Sequence, residues 1–262
     1  MAKVSRGGRR GIASTTPNIA MTAAPAVAAV SNVPANAHAL TDQDADQLRQ
    51  QQDSSYDAST TAAVKMYISN TNFDGQGYSL SQAMNYALDN GVDFNAMSLN
   101  QINSMLGTRF TANDVASMQY TDAYMQQATH PIGRDVVLQR GAHDDLLKSF
   151  GIRDYSRMTE AQLQSRLVGQ TFQNTSYMST SYDVTKNPFL SASSGVSGGR
   201  EIVFNIKAGA QTKMVFGAKK QSEVILAKGT DFRITGVRYS GRIATPRGGM
   251  SKKQIIIDIE TY

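Results

Sequence analysis

Three short stretches of this chain carry side chains whose types and spacing suit chemistry on an anionic ligand. Leu138-Gln139-Arg140-Gly141 puts a guanidinium at the end of a strand-like run, next to a glycine. An arginine there offers a fork of donors that matches a diphosphate, and a glycine lets a ligand approach the backbone closely. The same pair also reads as a surface arginine followed by a turn. Tyr177-Met178-Ser179-Thr180-Ser181 sets three small hydroxyls at a second strand end, with Tyr177 at the alternate position and Met178 on the opposite face. Such hydroxyls can fix the rotamer of a carboxylate on a neighbouring strand, although a Ser/Thr-rich strand edge is common. Gln221-Ser222-Glu223 opens the apolar run Val224-Ile225-Leu226-Ala227. Residues two apart on a strand share a face, so Gln221 and Glu223 are expected to point together into any adjoining cleft. An ordinary polar strand start is the plainer alternative. Gly217-Ala218-Lys219-Lys220, just upstream, reads as a mobile loop, and its lysine pair as a solvated loop or a steering patch for an acidic partner.

The elements that must position these groups fall into three parts. Residues 1 to about 58 are rich in Ala, Ser, Thr, Asn, Gln, Pro and Gly and lack large apolar residues at any helical or strand period, so they read as a flexible tail. From 59 to 130 the apolar period is helical: Val64, Tyr67 and Ile68, then Met84, Ala87 and Leu88, then Leu99, Ile102 and Leu106. Ser79 with Gln82 fits a capping box and Asn90-Gly91 a stop. A longer helix is expected over 113–127, with Val115, Met118 and Tyr124 or Met125 inward, making four short helices in all. After Pro131 the period changes. Strands are expected at 135–140, 171–179, 201–207, 212–216, 223–227, 232–239 and 254–260, with helices at 143–150 and 160–168, the second opened by a Thr159/Gln162 box. Helices first and strands second, without repeated strand–helix–strand crossovers, indicates an α+β fold.

Composition narrows the chemistry. With 262 residues there is ample material for a packed core, and with no cysteine there is no disulfide, thiolate metal site or cysteine nucleophile. His38, His130 and His143 are scattered without ligand spacing, so no metal is expected. Lys3, Arg6, Arg9 and Arg10 carry four of the five net positive charges, and the first acidic residue is Asp42. The body is therefore close to neutral, and a nucleic-acid-tracking surface is not implied. No apolar run approaches a membrane span. The Ala-rich stretch 19–30 loosely imitates a secretory signal, but Pro17 and Pro25 interrupt it. Gly195, Gly198 and Gly199 do not follow a strand and open a helix, so they form no dinucleotide-binding fingerprint.

Taken together and in this order, the three stretches resemble the ADP-ribosyltransferase superfamily of the Arg, Ser-Thr-Ser, Glu-x-Glu type. The branch is that of the clostridial Rho-modifying exoenzymes and the actin-modifying binary toxins. The resemblance covers roughly 59–262 and implies a core of two packed, mostly antiparallel sheets (131–262) with an N-terminal helical lobe (59–130). It implies cleavage of the bond between nicotinamide and ribose in NAD+ as cosubstrate, through an oxocarbenium-like transition state. Glu223 is then the catalytic carboxylate, oriented by Ser179, with Gln221 facing the acceptor. Arg140, Gly141, Ser179, Thr180, Ser181 and Phe189 are implied to hold NAD+. Phe189 matches an aromatic that stacks on nicotinamide in the family, although it also reads as a small core anchor under its loop. The arginine that often follows this aromatic in the toxins is missing, since Leu190, Ser191 and Ala192 stand there.

Gln221 departs from arginine-modifying relatives, which carry Glu two residues before the catalytic Glu. A neutral amide suits a side-chain amide acceptor, Asn before Gln, with Thr, Ser or Arg as alternatives. The expected partner is a protein acceptor, and the expected state a monomer, delivered as a secreted or phage-encoded effector. The rival readings are an NAD glycohydrolase and a non-catalytic interaction module on the same fold.

Overall fold

The computed structural model describes residues 38–69, 78–142, 144–183, 200–240 and 253–262. It opens with β1 (His38–Ala39) and α1 (Asp42–Ser55), followed by α2 (Ala58–Ile68), α3 (Leu80–Asp89), α4 (Leu99–Leu106) and α5 (Ala112–Ala128). The helix at 42–55 corrects the expectation of a flexible tail reaching residue 58. Thr41 and Asp44 form a capping box that starts it. Only Ala45 and Leu48 meet the core, and the helix docks mainly through polar side chains, so a search for apolar period passes over it. The four expected helices of the lobe are present. Ser79/Gln82, Ser98/Gln101 and Thr111/Asp114 boxes open α3, α4 and α5, and Gly107 closes α4 in the left-handed region. Met118 and Met125 are buried on α5 as expected, together with Thr121, Asp122 and Ala128.

The remaining elements are β2 (His130–Pro131), β3 (Val136–Ala142), α6 (Asp145–Ser149), α7 (Glu160–Leu167), β4 (Thr171–Gln173), β5 (Met178–Ser181), β6 (Arg200–Ala208), β7 (Lys213–Phe216), β8 (Glu223–Leu226), β9 (Asp231–Ser240) and β10 (Lys253–Thr261). The strands run β2-β7-β8-β5-β3-β6-β10-β9-β4, with β1 beside β3. Pairing is antiparallel except for β6 with β10 and β1 with β3. Between β3 and β5 the ladder narrows to one pair, Gln139 opposite Ser181. At that seam the ladder divides into two halves, and their inner faces share one core. Leu138, Phe204, Ile206 and Ile257 come from one half, and Met178, Met214, Phe216, Val224 and Leu226 from the other. The alternate residues of the smaller half, Tyr177, Val215 and Ile225, join the core of the helical lobe instead.

The single strand expected over 171–179 is two. Buried Asn174 donates to the Ser176 and Ala227 carbonyls at 2.7 and 3.0 Å, while its own carbonyl accepts from Gly229 N–H at 2.7 Å. These bonds turn the chain from β4, which pairs with β9, into β5, which pairs with β8. An asparagine that offers the backbone a local partner breaks a strand without glycine or proline.

One partly buried ion pair fastens the lobe to the sheet. Lys228 Nζ meets Asp122 Oδ2 of α5 at 2.6 Å, and Tyr177 OH donates to Asp122 Oδ1 at 3.1 Å. Removing one partner of a fully buried pair costs about 3–5 kcal/mol. Lys228 keeps 25% of its side chain exposed, so Lys228→Met should cost roughly 2–3 kcal/mol in chemical denaturation. Adding Asp122→Asn should recover part of that loss, because no unpaired charge remains.

Candidate active site

The turn between β7 and β8 carries the acidic candidate. Gly217 N–H donates to the Glu223 carbonyl, Gln221 N–H to Ala218 and Ser222 N–H to Lys219, each at 3.0 Å. Ser222 is the one non-glycine with positive φ, 49°, among the described residues. The stretch expected to be a mobile loop is thus a hydrogen-bonded turn. The strand begins at Glu223, with Gln221 still in a short 3-10 turn, so the expectation that strand alternation aligns the two does not hold. Gln221 is half-buried at the rim while Glu223 is buried. The Glu223 side chain lies over Gly217, where a Cβ would stand 2.2 Å from Glu223 Oε2. Ala218 N–H donates to the same oxygen at 2.8 Å. Gly217 is needed for this close approach, since its own φ is not left-handed.

Around this carboxylate the fold gathers groups from four other elements. The Ser179 hydroxyl of β5 lies close to both Glu223 and Tyr67. Arg140 of β3 donates from Nη1 to the Ser179 carbonyl at 3.1 Å. Burial pushes the Glu223 carboxyl above its usual value, against the opposing pull of Ala218 N–H, Ser179, Arg49 and Arg140. Burial also draws the Arg140 guanidinium below its usual value, with Tyr67, Asp89 and Glu223 opposing. The strand carrying Arg140 runs on to Ala142, so this arginine is not its last residue as expected, and Gly141 pairs within it opposite Val203.

The three hydroxyls of 179–181 have different tasks. Ser179 faces Glu223. Thr180, fully buried, donates to the Val224 carbonyl at 2.7 Å and ties β5 to β8. Ser181 donates toward the Gln221 and Asp183 carbonyls at 3.2 and 3.0 Å and pins the turn. Phe189 lies outside the described residues. Lys219 pairs with Asp46 at 2.8 Å, so it is engaged within the chain.

Several members of the cluster were not foreseen. Tyr67 of α2 accepts from Asn85 Nδ2 of α3 at 2.9 Å, and Asn85 also donates to the Tyr177 carbonyl at 3.1 Å. Asp89, one turn on and 3% exposed, accepts from Thr175 Oγ1 at 2.9 Å, and burial pushes its carboxyl up to about 6. Asn85 and Asp89 sit four apart beside the apolar stripe Met84, Ala87 and Leu88, a polar pair on a helix face that is otherwise turned inward. That spacing was the available signal. Asn85 Oδ1 and Asp89 Oδ2 are buried without a hydrogen-bond partner. Unsatisfied buried acceptors beside a half-buried arginine suit a ligand rich in hydroxyl and amide donors, which NAD+ is. Among the described residues no group of three or more His, Asp or Glu gathers as metal ligands, and no helix is long and apolar enough to cross a membrane.

The arrangement is a buried anion held by fixed donors beside a guanidinium, suited to stabilising a developing cation next to a phosphate-bearing group. The same architecture is found in solved toxins. Plx2a, an ADP-ribosyltransferase toxin from Paenibacillus larvae, is 12% identical with a TM-score of 0.52, over 84% of this chain and 96% of that one. C3stau2 from S. aureus, solved with NAD, is 18% identical with a TM-score of 0.51, over 84% and 95%. The enzymatic component C2-I of the Clostridium botulinum C2 toxin is 13% identical with a TM-score of 0.53, over 82% of this chain but 46% of that one. No curated protein sequence matches the chain. A sequence profile of the ADP-ribosyltransferase exoenzymes matches residues 72–262, the greater part of the chain. The chain therefore belongs to the ADP-ribosyltransferase exoenzyme family and is an NAD+–protein mono-ADP-ribosyltransferase.

Proposed function

We propose that this enzyme transfers ADP-ribose to a side-chain amide of a protein acceptor, Asn before Gln, with Glu223 as the catalytic carboxylate. The observation that carries the reading is the burial of Glu223 against Ser179, within the field of Arg140. As the bond between nicotinamide and ribose breaks, its electron pair leaves with the neutral pyridine and positive charge grows on the ribose. Glu223 opposes that charge and accepts from the ribose 2′-OH. Ser179 keeps the carboxylate in place. Arg140 holds the NAD+ phosphates, and Gly141 meets the nicotinamide amide through its backbone. Thr180 and Ser181 serve the site by fixing the strand and turn that carry Glu223. Asn85 and Asp89 offer their unpaired oxygens to donors of the bound nucleotide.

Gln221 stands at the rim, one left-handed residue before the buried carboxylate. Its amide both donates and accepts, matching another amide better than a guanidinium, which only donates. The acceptor nitrogen bonds to the ribose carbon in place of nicotinamide and releases one proton to solvent. That NAD has been captured with C3stau2 on a similar fold supports the choice of cosubstrate.

Glu223→Gln should lower transfer by about 10²-fold or more while NAD+ binding, measured by calorimetry, stays nearly unchanged. Since Glu223 acts as the anion, kcat for nicotinamide release should fall on the acid side with a midpoint above the usual carboxylate range. Between the usual value and the raised one, the folded protein binds more protons than the unfolded chain. Stability therefore declines as pH rises through that window, and the Glu223→Gln variant should lack this decline in melts from about pH 4 to 8.

Gly217→Ala should displace the carboxylate and cost at least about tenfold in kcat with the fold retained, because the obstructed atom is the far end of one side chain. Labelled NAD+ incubated with the protein and a lysate, followed by peptide mapping, should place the label on Asn or Gln. Label on arginine alone would end the amide assignment, and nicotinamide release with no labelled protein would identify a glycohydrolase.

A further inference from the structure

Helix α1 precedes the residues that match the family, and its side chains converge on the turn that carries Glu223. Arg49 donates from Nη1 to the Gly217 carbonyl, and its guanidinium lies 5.3 Å above the Phe216 ring. Gln52, one turn on, donates from Nε2 to the Met214 carbonyl at 2.9 Å and accepts from Phe216 N–H at 3.2 Å. Asp46 pairs with Lys219 inside the turn at 2.8 Å, and Asp42 accepts from Tyr182 OH at 3.1 Å, just past the Ser179–Ser181 strand.

The Gln52 contacts have a topological cause. On the side of β7 away from β8, β2 supplies only His130 and Pro131, which face Met214 and Lys213. Beyond them the β7 edge has no strand neighbour among the described residues, and the Gln52 amide takes one carbonyl and one N–H along that edge as a further strand would. The Arg49 contact is costlier than covering a core requires. Its Nε and Nη2 are buried without a partner, and an aliphatic residue would cap Phe216 without leaving donors unsatisfied. What the guanidinium adds is a bond to the residue on which the Glu223 side chain rests, and a positive charge near that carboxylate.

We propose that α1 is a clamp on the catalytic turn, in which Arg49 and Gln52 are positioning residues that hold the Glu223 carboxylate in its working place. Arg49 fixes Gly217 and through it the carboxylate lying on its Cα. Gln52 fixes the end of β7 from which the turn departs. The inference rests on Glu223 being the catalytic carboxylate. Glu223 is faced by Arg49 from α1, Arg140 from β3, Tyr67 from α2, Ser179 from β5 and the Ala218 N–H of its own turn. Removing Arg49 removes one of two nearby cations and leaves Arg140 in place.

The test compares full-length Arg49→Gln, Arg49→Lys, Gln52→Ala and Glu223→Gln in NAD+ turnover, reading kcat, KM and the pH dependence of kcat. Arg49→Gln should lower kcat at least about tenfold with KM for NAD+ nearly unchanged, and should move the acid limb to higher pH. Arg49→Lys restores the charge and should return the limb toward its original place. Gln52→Ala should lower kcat without moving the limb, and it decides the matter if Arg49→Gln fails to fold. Wild-type kcat in a folded Arg49→Gln, or in Gln52→Ala, overturns the clamp. An equal effect on kcat and acid limb in Arg49→Gln and Arg49→Lys overturns the electrostatic half. If Glu223→Gln keeps turnover, the catalytic assignment itself falls; if only the clamp variants keep it, the assignment stands.

Discussion

A carboxylate 6% exposed to solvent is the constraint around which this molecule is arranged. Taken alone, a buried anion would take up a proton and lose its use in opposing a cation. The fold keeps Glu223 ionisable by bringing partners from separate parts of the chain. A backbone N–H comes from its own turn, a hydroxyl from β5 and cations from β3 and α1. None of these groups is strong by itself. In the proposed reaction their value is that they are fixed before the substrate arrives, so little reorganisation is left for the moment at which charge develops.

The seam between β3 and β5 explains why these partners meet. Two strands that stay hydrogen-bonded along their length leave no opening. Here they touch only at Gln139 and Ser181, and then diverge into halves that fold over a common core. Arg140 follows Gln139, and Ser179 to Ser181 form the other side. Arg140 and the Ser179–Ser181 stretch thus flank the point where the ladder parts, and β8 carries Glu223 on the other side of β5. The helical lobe closes the third side. It is tied to the sheet through Tyr177 and Lys228 on Asp122, and it contributes Tyr67, Asn85 and Asp89.

The parts of this design that were legible in the sequence are those governed by apolar period and by capping. The lobe helices and most strands announce themselves through residues such as Met84, Ala87 and Leu88 or Ile255, Ile257 and Ile259, and the boxes at Ser79 and Thr159 mark their starts. Arg140, Ser179 and Glu223 were found by motif, and the structure brings them into one cluster. The parts missed share a physical cause: they depend on polar contacts between residues distant in sequence. Helix α1 docks with Arg49 and Gln52 on backbone atoms more than 160 residues away, and no local pattern encodes that. Asn174 breaks a strand through bonds to Ser176 and Ala227. The strand starts at Glu223 as expected, but the relation of Gln221 to Glu223 was misread because the left-handed Ser222 leaves Gln221 in the preceding 3-10 turn, outside the strand alternation.

Holding Gln221 off the strand lets the site divide its work. Were Gln221 on the strand, its side chain would enter the same buried space as Glu223, and any change there would disturb the carboxylate's surroundings. Placed in a short turn instead, it reaches the rim while Ser181 grips its carbonyl and Lys219 accepts the Ser222 N–H. The backbone of the turn is fixed from below, and the side chain at its crest is left to meet another molecule. In the reaction we propose, recognition of the acceptor and support of the ribosyl cation would rest on residues two apart, one half-buried and one buried. In the proposed reaction, an acceptor preference can change at position 221 while the network that keeps Glu223 charged stays as it is.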